Sequence, residues 1–406
     1  MSSRVLILSA GFGEGHNAAA RALALAWRSL HGQDTARVAD VFALAAPRAN
    51  AFSRCSYLWL INHAPRLWSS IYAWLDRSTL APRALRFFRA EQRKLAKLIE
   101  AEQPHAICCT YPVYAFWLQE LARAGRLRVP FFNIVTDSIS INSLWWRGGS
   151  AGWILPNEDS AEVLRRAGID EARLHVLGFP VAPFFAARAP QLAPADLATG
   201  ATPRVLYIVN SGTRHAAETA RKLLASPRWE ITCTVGRDEA LRHELQQLAR
   251  HRAPRTEILG WTDEMPRLLM THHVVVSKAG GATTQEAIAA RCPMIVNQIV
   301  PGQEEGNYEL LRRHGIGALA ETPDAVMTEL QRAFDARGQV WHAWRAALEP
   351  LSRPRAAAEI AARVTKLSAR LAEPIPVPPH NRPMRGQPDA SLPPQDCSAS
   401  GDVSST

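Results

Sequence analysis

The sequence predicts an α/β chain built from two doubly wound halves, and three observations carry that expectation. Arg4-Val5-Leu6-Ile7-Leu8 is a short apolar run, followed by Gly11, Gly13 and Gly15 and then by helical spacing from Ala18, with Leu23, Trp27 and Leu30 at i, i+4 and i+7. The same strand, turn and helix plan restarts at Arg204-Val205-Leu206-Tyr207-Ile208-Val209, with Asn210-Ser211-Gly212-Thr213 as the turn. The chain has 406 residues, more than one hydrophobic core usually spans. Two such halves imply a cleft between them, where ligands of open α/β sheets collect.

In the first half, further strands are expected near residues 106–110, 131–136 and 153–155, separated by stretches long enough for helices. The 48–100 region reads as helices broken at Pro47, Pro65 and Pro82. Residues 183–203 hold four prolines and many alanines and read as a linker. In the second half, strands are expected near 230–235, 256–259, 273–277 and 294–297. The expected organisation is therefore a first domain over 1–182, a linker over 183–203 and a second domain over 204–340. C-terminal helices over 341–372 pack back on the first domain. Eight prolines fall within 373–406, a composition too poor in apolar surface to fold, and this tail is assigned no structure.

Composition narrows the class. With 47% hydrophobic and 21% charged residues the chain reads as a soluble globular protein, with no apolar run long enough to span a bilayer. The N-terminus has no signal-peptide plan, so a cytoplasmic location is expected. Six cysteines without a CxxC pair or zinc spacing read as buried thiols, and no metal site is expected.

The net charge of +10 is unevenly placed. From residue 48 to 97 ten Lys and Arg face only Asp76 and Glu91, leaving +8 on a stretch that also holds Trp59, Trp68 and Trp74. Basic side chains mixed with Trp and Tyr suit an anionic membrane surface, with Arg83, Arg86 and Arg89 as the cations to test. A helical surface whose aromatics fill the local core is the competing reading. No nucleic-acid motif accompanies the charge.

The most specific chemistry lies in the second half. Val274-Val275-Val276-Ser277-Lys278-Ala279-Gly280-Gly281-Ala282-Thr283-Thr284 reads as a buried strand, a small-residue turn and a helix start. Gly280 and Gly281 let a phosphate approach the backbone, and the amides and hydroxyls of Ala282, Thr283 and Thr284 point toward it along the helix dipole. Glu286, just inside that helix, is placed for a ribose diol. Glycines alone do not separate this from an ordinary strand-to-helix turn, and the absence of Gly-Lys-[Ser/Thr] excludes a Walker loop. Next comes Val300-Pro301-Gly302-Gln303-Glu304-Glu305-Gly306-Asn307, dense in amides and carboxylates. Hydroxyl-rich ligands such as sugars need such a cluster, although a solvated loop has the same composition.

Taken together, Lys278-Ala279-Gly280, Glu286-Ala287, Pro293 and Pro301-Gly302-Gln303-Glu304 with Asn307 resemble the nucleotide-sugar half of the monogalactosyldiacylglycerol synthase and processive diacylglycerol glucosyltransferase family. Gly236-Arg237 and Gly260-Trp261-Thr262-Asp263 look like further landmarks, the second where the family holds the uracil. In the first half Gly13-Glu14-Gly15-His16, Pro65-Arg66-Leu67-Trp68, Val135-Thr136-Asp137 and Gly178-Phe179-Pro180 are similar to the family's pattern. The likeness covers roughly residues 4–335.

The resemblance implies a GT-B fold and inverting transfer of glucose or galactose from UDP-glucose or UDP-galactose to diacylglycerol or a related lipid. The protein would be peripheral on the inner face of the cell membrane. It implies no cofactor and no metal, because helix termini and backbone donors meet the leaving diphosphate. His16 and Asp137 are the implied catalytic pair. Gly212, Arg237, Trp261 and Thr262 join residues 280–284, Glu286, Gln303, Glu304 and Asn307 as substrate contacts. Three departures stand out: Glu14 replaces a glycine of the family's Gly-rich loop, Asn142 stands where many members have His, and Asn210-Ser211-Gly212-Thr213 is glycine-poor. The alternatives are a nucleotide-sugar epimerase on the same fold and a non-catalytic UDP-sugar-binding peripheral protein.

Overall fold

Two six-stranded parallel sheets form the framework of this computed structural model. It describes residues 3–371 apart from 79, 81–83, 190, 210–214, 251, 253–254 and 303, with backbone alone at 58, 62, 65 and 86. Gly212, Gln303, Arg83, the Arg86 side chain and the 373–406 tail therefore lie outside the described residues.

The first sheet runs β1 (Val5–Leu8), β2 (Ala36–Ala39), β3 (Ala106–Cys109), β4 (Phe131–Ile134), β5 (Gly152–Leu155) and β6 (Leu174–Val176), in spatial order β2-β1-β3-β4-β5-β6. The second holds β7 (Arg204–Ile208), β8 (Glu230–Thr234), β9 (Thr256–Leu259), β10 (Val274–Lys278), β11 (Met294–Gln298) and β12 (Ala318–Leu319), in order β12-β11-β10-β7-β8-β9. Both are doubly wound, with the order reversing at β1/β3 and at β7/β10. Central strands such as β1 and β3 are buried along their whole length, as parallel strands covered on both faces must be. β2, β6 and β12 were not expected from sequence. They lie at sheet edges and are four, three and two residues long, too short to show a pattern.

The first helix begins at Glu14 rather than near Ala18. Gly13 is its N-cap at φ 115°, a conformation that favours glycine, and Glu14 places a carboxylate on the positive end of the helix dipole. His16 therefore sits in the first helical turn. Pro47 and Pro65 do not merely interrupt helices. Each occupies the first position of one (Pro47–His63 and Pro65–Arg77), where a missing N–H costs nothing. Residues 183–203 are seated rather than loose: Phe185 and Leu197 are buried, and His273 Nε2 lies 2.8 Å from the Ala195 carbonyl.

The halves meet at several points. The turn at residues 138–140 rests on Gly306, where a Cβ would stand 1.9 Å from Ser138 O, so no other residue fits. Ile139 in that turn has φ 55°, a costly conformation for a β-branched side chain, and Gln285 Nε2 donates to Ser138 Oγ at 2.9 Å. Asp159 pairs with Arg313 at 3.1 Å and His314 at 2.9 Å. The helix Ala356–Arg370 packs Ile360, Ala361 and Val364 against Ala20, Leu23 and Trp27 of the first helix, with His31 Nε2 2.8 Å from Thr365 Oγ1. The long helix Pro323–Leu348, kinked at residues 335–338, stays on the second half through Trp341 Nε1, which donates to His273 O at 2.7 Å.

The helix Gly281–Ala289 lies against the first helix, and here Glu286 is half-buried facing Arg21. Burial pushes the Glu286 carboxyl up to about 7 from its ordinary 4.5, with the Arg21 charge opposing. A raised carboxyl pKa means that the fold favours the protonated form. That contribution is complete below about 4.5 and is lost as pH rises through about 7. Glu286→Gln should therefore gain stability over the parent as pH rises, the gap widening by about 2 kcal/mol between pH 5 and pH 8. Urea midpoints at the two pH values measure it, and a pH-independent gap would refute the assignment.

Candidate functional site

Both reversal points deliver loops to one cavity of about 140 Å³. From the first sheet come Phe12 to His16 after β1 and Thr136 and Asp137 after β4. From the second come Lys278 and Gly280 to Thr283 after β10, and Val300, Glu304 and Asn307 after β11. Tyr57 and Ile61 of the helix Pro47–His63 complete the lining. Two helix N-termini thus converge: Glu14–His31, with Gly13 as cap, and Gly281–Ala289, with Gly280 as cap. Neither start has a side-chain cap, so amides at both ends remain for a ligand. A methyl placed on Gly15 would lie 3.7 Å from the Ala282 amide nitrogen, which measures how closely the ends approach.

His16 is buried. Its Nδ1 lies 2.9 Å from Thr136 Oγ1, its ring hydrogen-bonds the Thr110 backbone, and Tyr111 stands edge-on at 5.1 Å. Burial holds its pKa below the ordinary 6.5, against the opposing pull of the Asp137 charge and the Thr110 hydrogen bond. Asp137 accepts from Trp145 Nε1 at 2.6 Å, and burial raises its carboxyl above the usual range although His16 and the indole oppose this. A neutral imidazole beside a carboxylate held by an indole is a competent proton acceptor.

On the opposite wall Lys278 Nζ donates to Glu304 Oε1 at 2.6 Å, and Glu304 Oε2 accepts from the Val300 amide at 3.0 Å. Asn307 Nδ2 donates to Ala279 O at 2.9 Å, while its buried Oδ1 has no hydrogen-bond partner among the described residues. Among the described residues no group of three or more His, Cys, Asp or Glu side chains gathers to hold a metal ion.

Of the residues expected from sequence, the cavity therefore unites His16, Asp137, Gly280, Gly281, Ala282, Thr283, Glu304 and Asn307. Thr284 does not reach it; its hydroxyl turns into the core toward Met294 Sδ at 3.8 Å. Glu286 lies deeper along the same helix, outside the lining. Arg237 and Trp261 are exposed on the loops after β8 and β9, and Thr262 Oγ1 caps the Glu264 amide at 3.1 Å. These three follow strands of the same sheet but do not line the cavity. The sequence reading gave no role to Lys278, Thr136, Phe12, Tyr57 or Ile61. For Lys278 a signal existed, since it is a cation closing the apolar run Val274-Val275-Val276.

The membrane-facing expectation divides. Trp59 and Trp74 are 59% and 58% exposed, and Phe52, Leu67, Leu80 and Phe87 lie exposed in the same region, with Arg89 among them. Trp68 is instead packed inward, edge-on to Tyr57 at 5.1 Å, with its Nε1 buried. Cys55 is exposed, unlike the buried thiols at 108, 109, 233 and 292. Among the described residues no helix is long and apolar enough to cross a membrane.

A family profile for monogalactosyldiacylglycerol (MGDG) synthase matches residues 16–181. The processive diacylglycerol beta-glucosyltransferase of Bacillus cereus (strain B4264) is 22% identical over 332 residues, 81% of this chain and 84% of its own. Among solved structures, the glycosyltransferase SnogD from Streptomyces nogalater aligns at TM-score 0.53 and 17% identity, over 90% of this chain and 100% of its own. The UDP-GlcNAc 2-epimerase from Neisseria meningitidis, bound to UDP-GlcNAc, aligns at TM-score 0.55 and 14% identity, over 89% and 100%. Likeness at that identity speaks to the fold, which glycosyltransferases and epimerases share. The sequence comparisons go further: the chain is similar over most of its length to processive diacylglycerol beta-glucosyltransferases, its first half matches the monogalactosyldiacylglycerol synthase profile, and the fold is GT-B.

Proposed function

We propose that this protein is an inverting, UDP-sugar-dependent hexosyltransferase that moves glucose or galactose to the hydroxyl of diacylglycerol or a related membrane lipid. The observation that carries the reading is the cavity itself, where two open helix N-termini face a buried neutral histidine. The names of the sequence relatives supply the acceptor class. The acceptor oxygen attacks the anomeric carbon as its proton passes to His16, with Asp137 steadying the imidazolium. The bond from that carbon to the β-phosphate oxygen breaks, and its electron pair leaves with UDP. The amides of residues 281–283 stabilise the charge that develops there. Gln303, Glu304 and Asn307 hold the sugar, the unpaired Asn307 Oδ1 accepting from one of its hydroxyls. Glu286, Arg237, Trp261, Thr262 and Gly212 belong to the nucleoside end.

The exposed Trp59 and Trp74, among basic side chains, favour a lipid acceptor over epimerisation, which needs no membrane face. The assignment is tested by incubating the full chain with diacylglycerol liposomes and a panel of UDP-sugars, followed by lipid analysis. A new glycolipid from UDP-glucose or UDP-galactose is expected. Donor isomerisation or hydrolysis with no lipid product would overturn the proposal.

If His16 is the base, kcat/KM should stay level down to its depressed pKa, so the acidic limb of the pH profile falls below 6.5. Asp137→Asn removes the charge that raises the His16 pKa, and should shift the limb lower while reducing the rate. A limb that disappears in Asp137→Asn would make Asp137 the base instead.

For the membrane, the Trp59→Ala/Trp74→Ala double variant should partition into anionic vesicles roughly tenfold less well, a loss that persists at high salt. Neutralising Arg83, Arg86 and Arg89 should matter only at low salt. Trp68→Ala should lower the Tm while leaving vesicle partition intact. Sedimentation that ignores both lipid charge and the two exposed tryptophans would remove the peripheral-membrane claim.

A further inference from the structure

We propose that Lys278 is the cation that receives the donor's diphosphate, and that Glu304 is its resting counter-ion, from which it turns when the donor arrives. This rests on the nucleotide-sugar reading above and adds a residue to it.

The strand β10 explains why a lysine is there at all. Val274, Val275 and Val276 are fully buried, so a lysine at the end of this run needs a partner. The pairing of β10 with β11 slips between Ser277 and Lys278, which re-aims the last side chain of the strand. Lys278 lines the cavity three residues before the start of the open helix Gly281–Ala289.

The charges of the cavity decide the assignment. Glu14, Asp137 and Glu304 line it as carboxyl groups, while Lys278 is the lone Lys or Arg among the described lining residues. Glu14 is drawn outward to Arg21 at 3.2 Å, and Asp137 is held by Trp145. A diphosphate placed between the helix ends would still meet Glu304 directly unless Lys278 stood between them. The ammonium has three donors, and one of them goes to Glu304 Oε1. It can therefore swing a donor to phosphate oxygen while Glu304 stays fixed by the Val300 amide. The carboxylate oxygen so released shares the cavity lining with Asn307, whose unpaired buried Oδ1 marks this wall as built for a polar ligand. Lys278 thus keeps a buried carboxylate paired and offers its remaining donors and its positive charge to a diphosphate.

Calorimetry of the full chain with UDP and with uridine tests this, because uridine lacks the diphosphate. The parent should prefer UDP. Lys278→Gln should weaken UDP by about tenfold or more and flatten its salt dependence, with uridine affinity unchanged. Glu304→Gln should bind UDP more tightly than the parent, since the competing carboxylate charge is gone. The Lys278→Gln/Glu304→Gln double variant, which leaves no orphaned buried charge, should still show the loss of preference for UDP over uridine. Retention of the parent's UDP preference in the single and double variants would overturn the role of Lys278 and leave the nucleotide-sugar reading standing. A parallel fall of UDP and uridine would make Lys278 structural, again overturning it alone. A parent that binds UDP no better than uridine would bring down the reading itself, and the inference with it.

Discussion

The seat of residues 138–140 on Gly306 is the contact on which the site depends. The turn belongs to the segment after β4, which carries Thr136 and Asp137, and Gly306 belongs to the helix Glu305–Arg313, which carries Asn307. With a Cβ at 306 the Ser138 carbonyl would be overrun, so the two halves reach this spacing only because position 306 has no side chain. The same contact holds Ile139 at positive φ, a cost that the surrounding packing and the Gln285–Ser138 hydrogen bond offset. Once this seat is made, His16 and the open end of the helix Gly281–Ala289 must face each other. The site is therefore a product of how the halves meet, and neither half contains it alone.

That origin explains what was legible in the sequence. The central strands announced themselves because parallel strands buried on both faces leave long apolar runs, as at Val274-Val275-Val276. The phosphate-facing turn was equally visible, since small residues after such a run have few other uses. The edge strands β2, β6 and β12 were not visible, because two to four residues are too few to carry a period. Trp59, Trp68 and Trp74 look alike in sequence, yet one of them fills the space between two helices and two face outward. That division follows from the contact of the helices Pro47–His63 and Pro65–Arg77, which sets Trp68 against Tyr57 and which no local pattern encodes.

Lys278 illustrates a different kind of blindness. Its position at the end of an apolar strand was readable, but its role depends on Glu304, 26 residues later, and on Glu14 and Asp137 from the other half. Electrostatic roles are sums over neighbours, and the neighbours are set by the fold. Thr284 shows the converse. Its place beside Thr283 promised a second hydroxyl for the ligand, but the 100° turn between adjacent helical residues sends one to the cavity and the other to Met294.

The exposed surface and the site also share one scaffold. Asp76, at the end of the helix Pro65–Arg77, accepts from the Ser143 amide at 2.5 Å, and its carbonyl accepts from Ser143 Oγ at 2.6 Å. Tyr72 of the same helix hydrogen-bonds Asn142 and lies against Gly302, where a Cβ would be 3.4 Å from its ring. Two residues beyond Ser143, Trp145 holds Asp137. The helix that presents Trp74 to solvent is thus fastened both to the segment orienting the buried acid and to the loop leading to Glu304. At one of these joints the Asn142 side chain makes the Tyr72 contact without adding a titratable group. The charge of the cavity rests on Glu14, His16, Asp137, Lys278 and Glu304, and the surface helix bears on them through the fastening at Ser143 and Gly302.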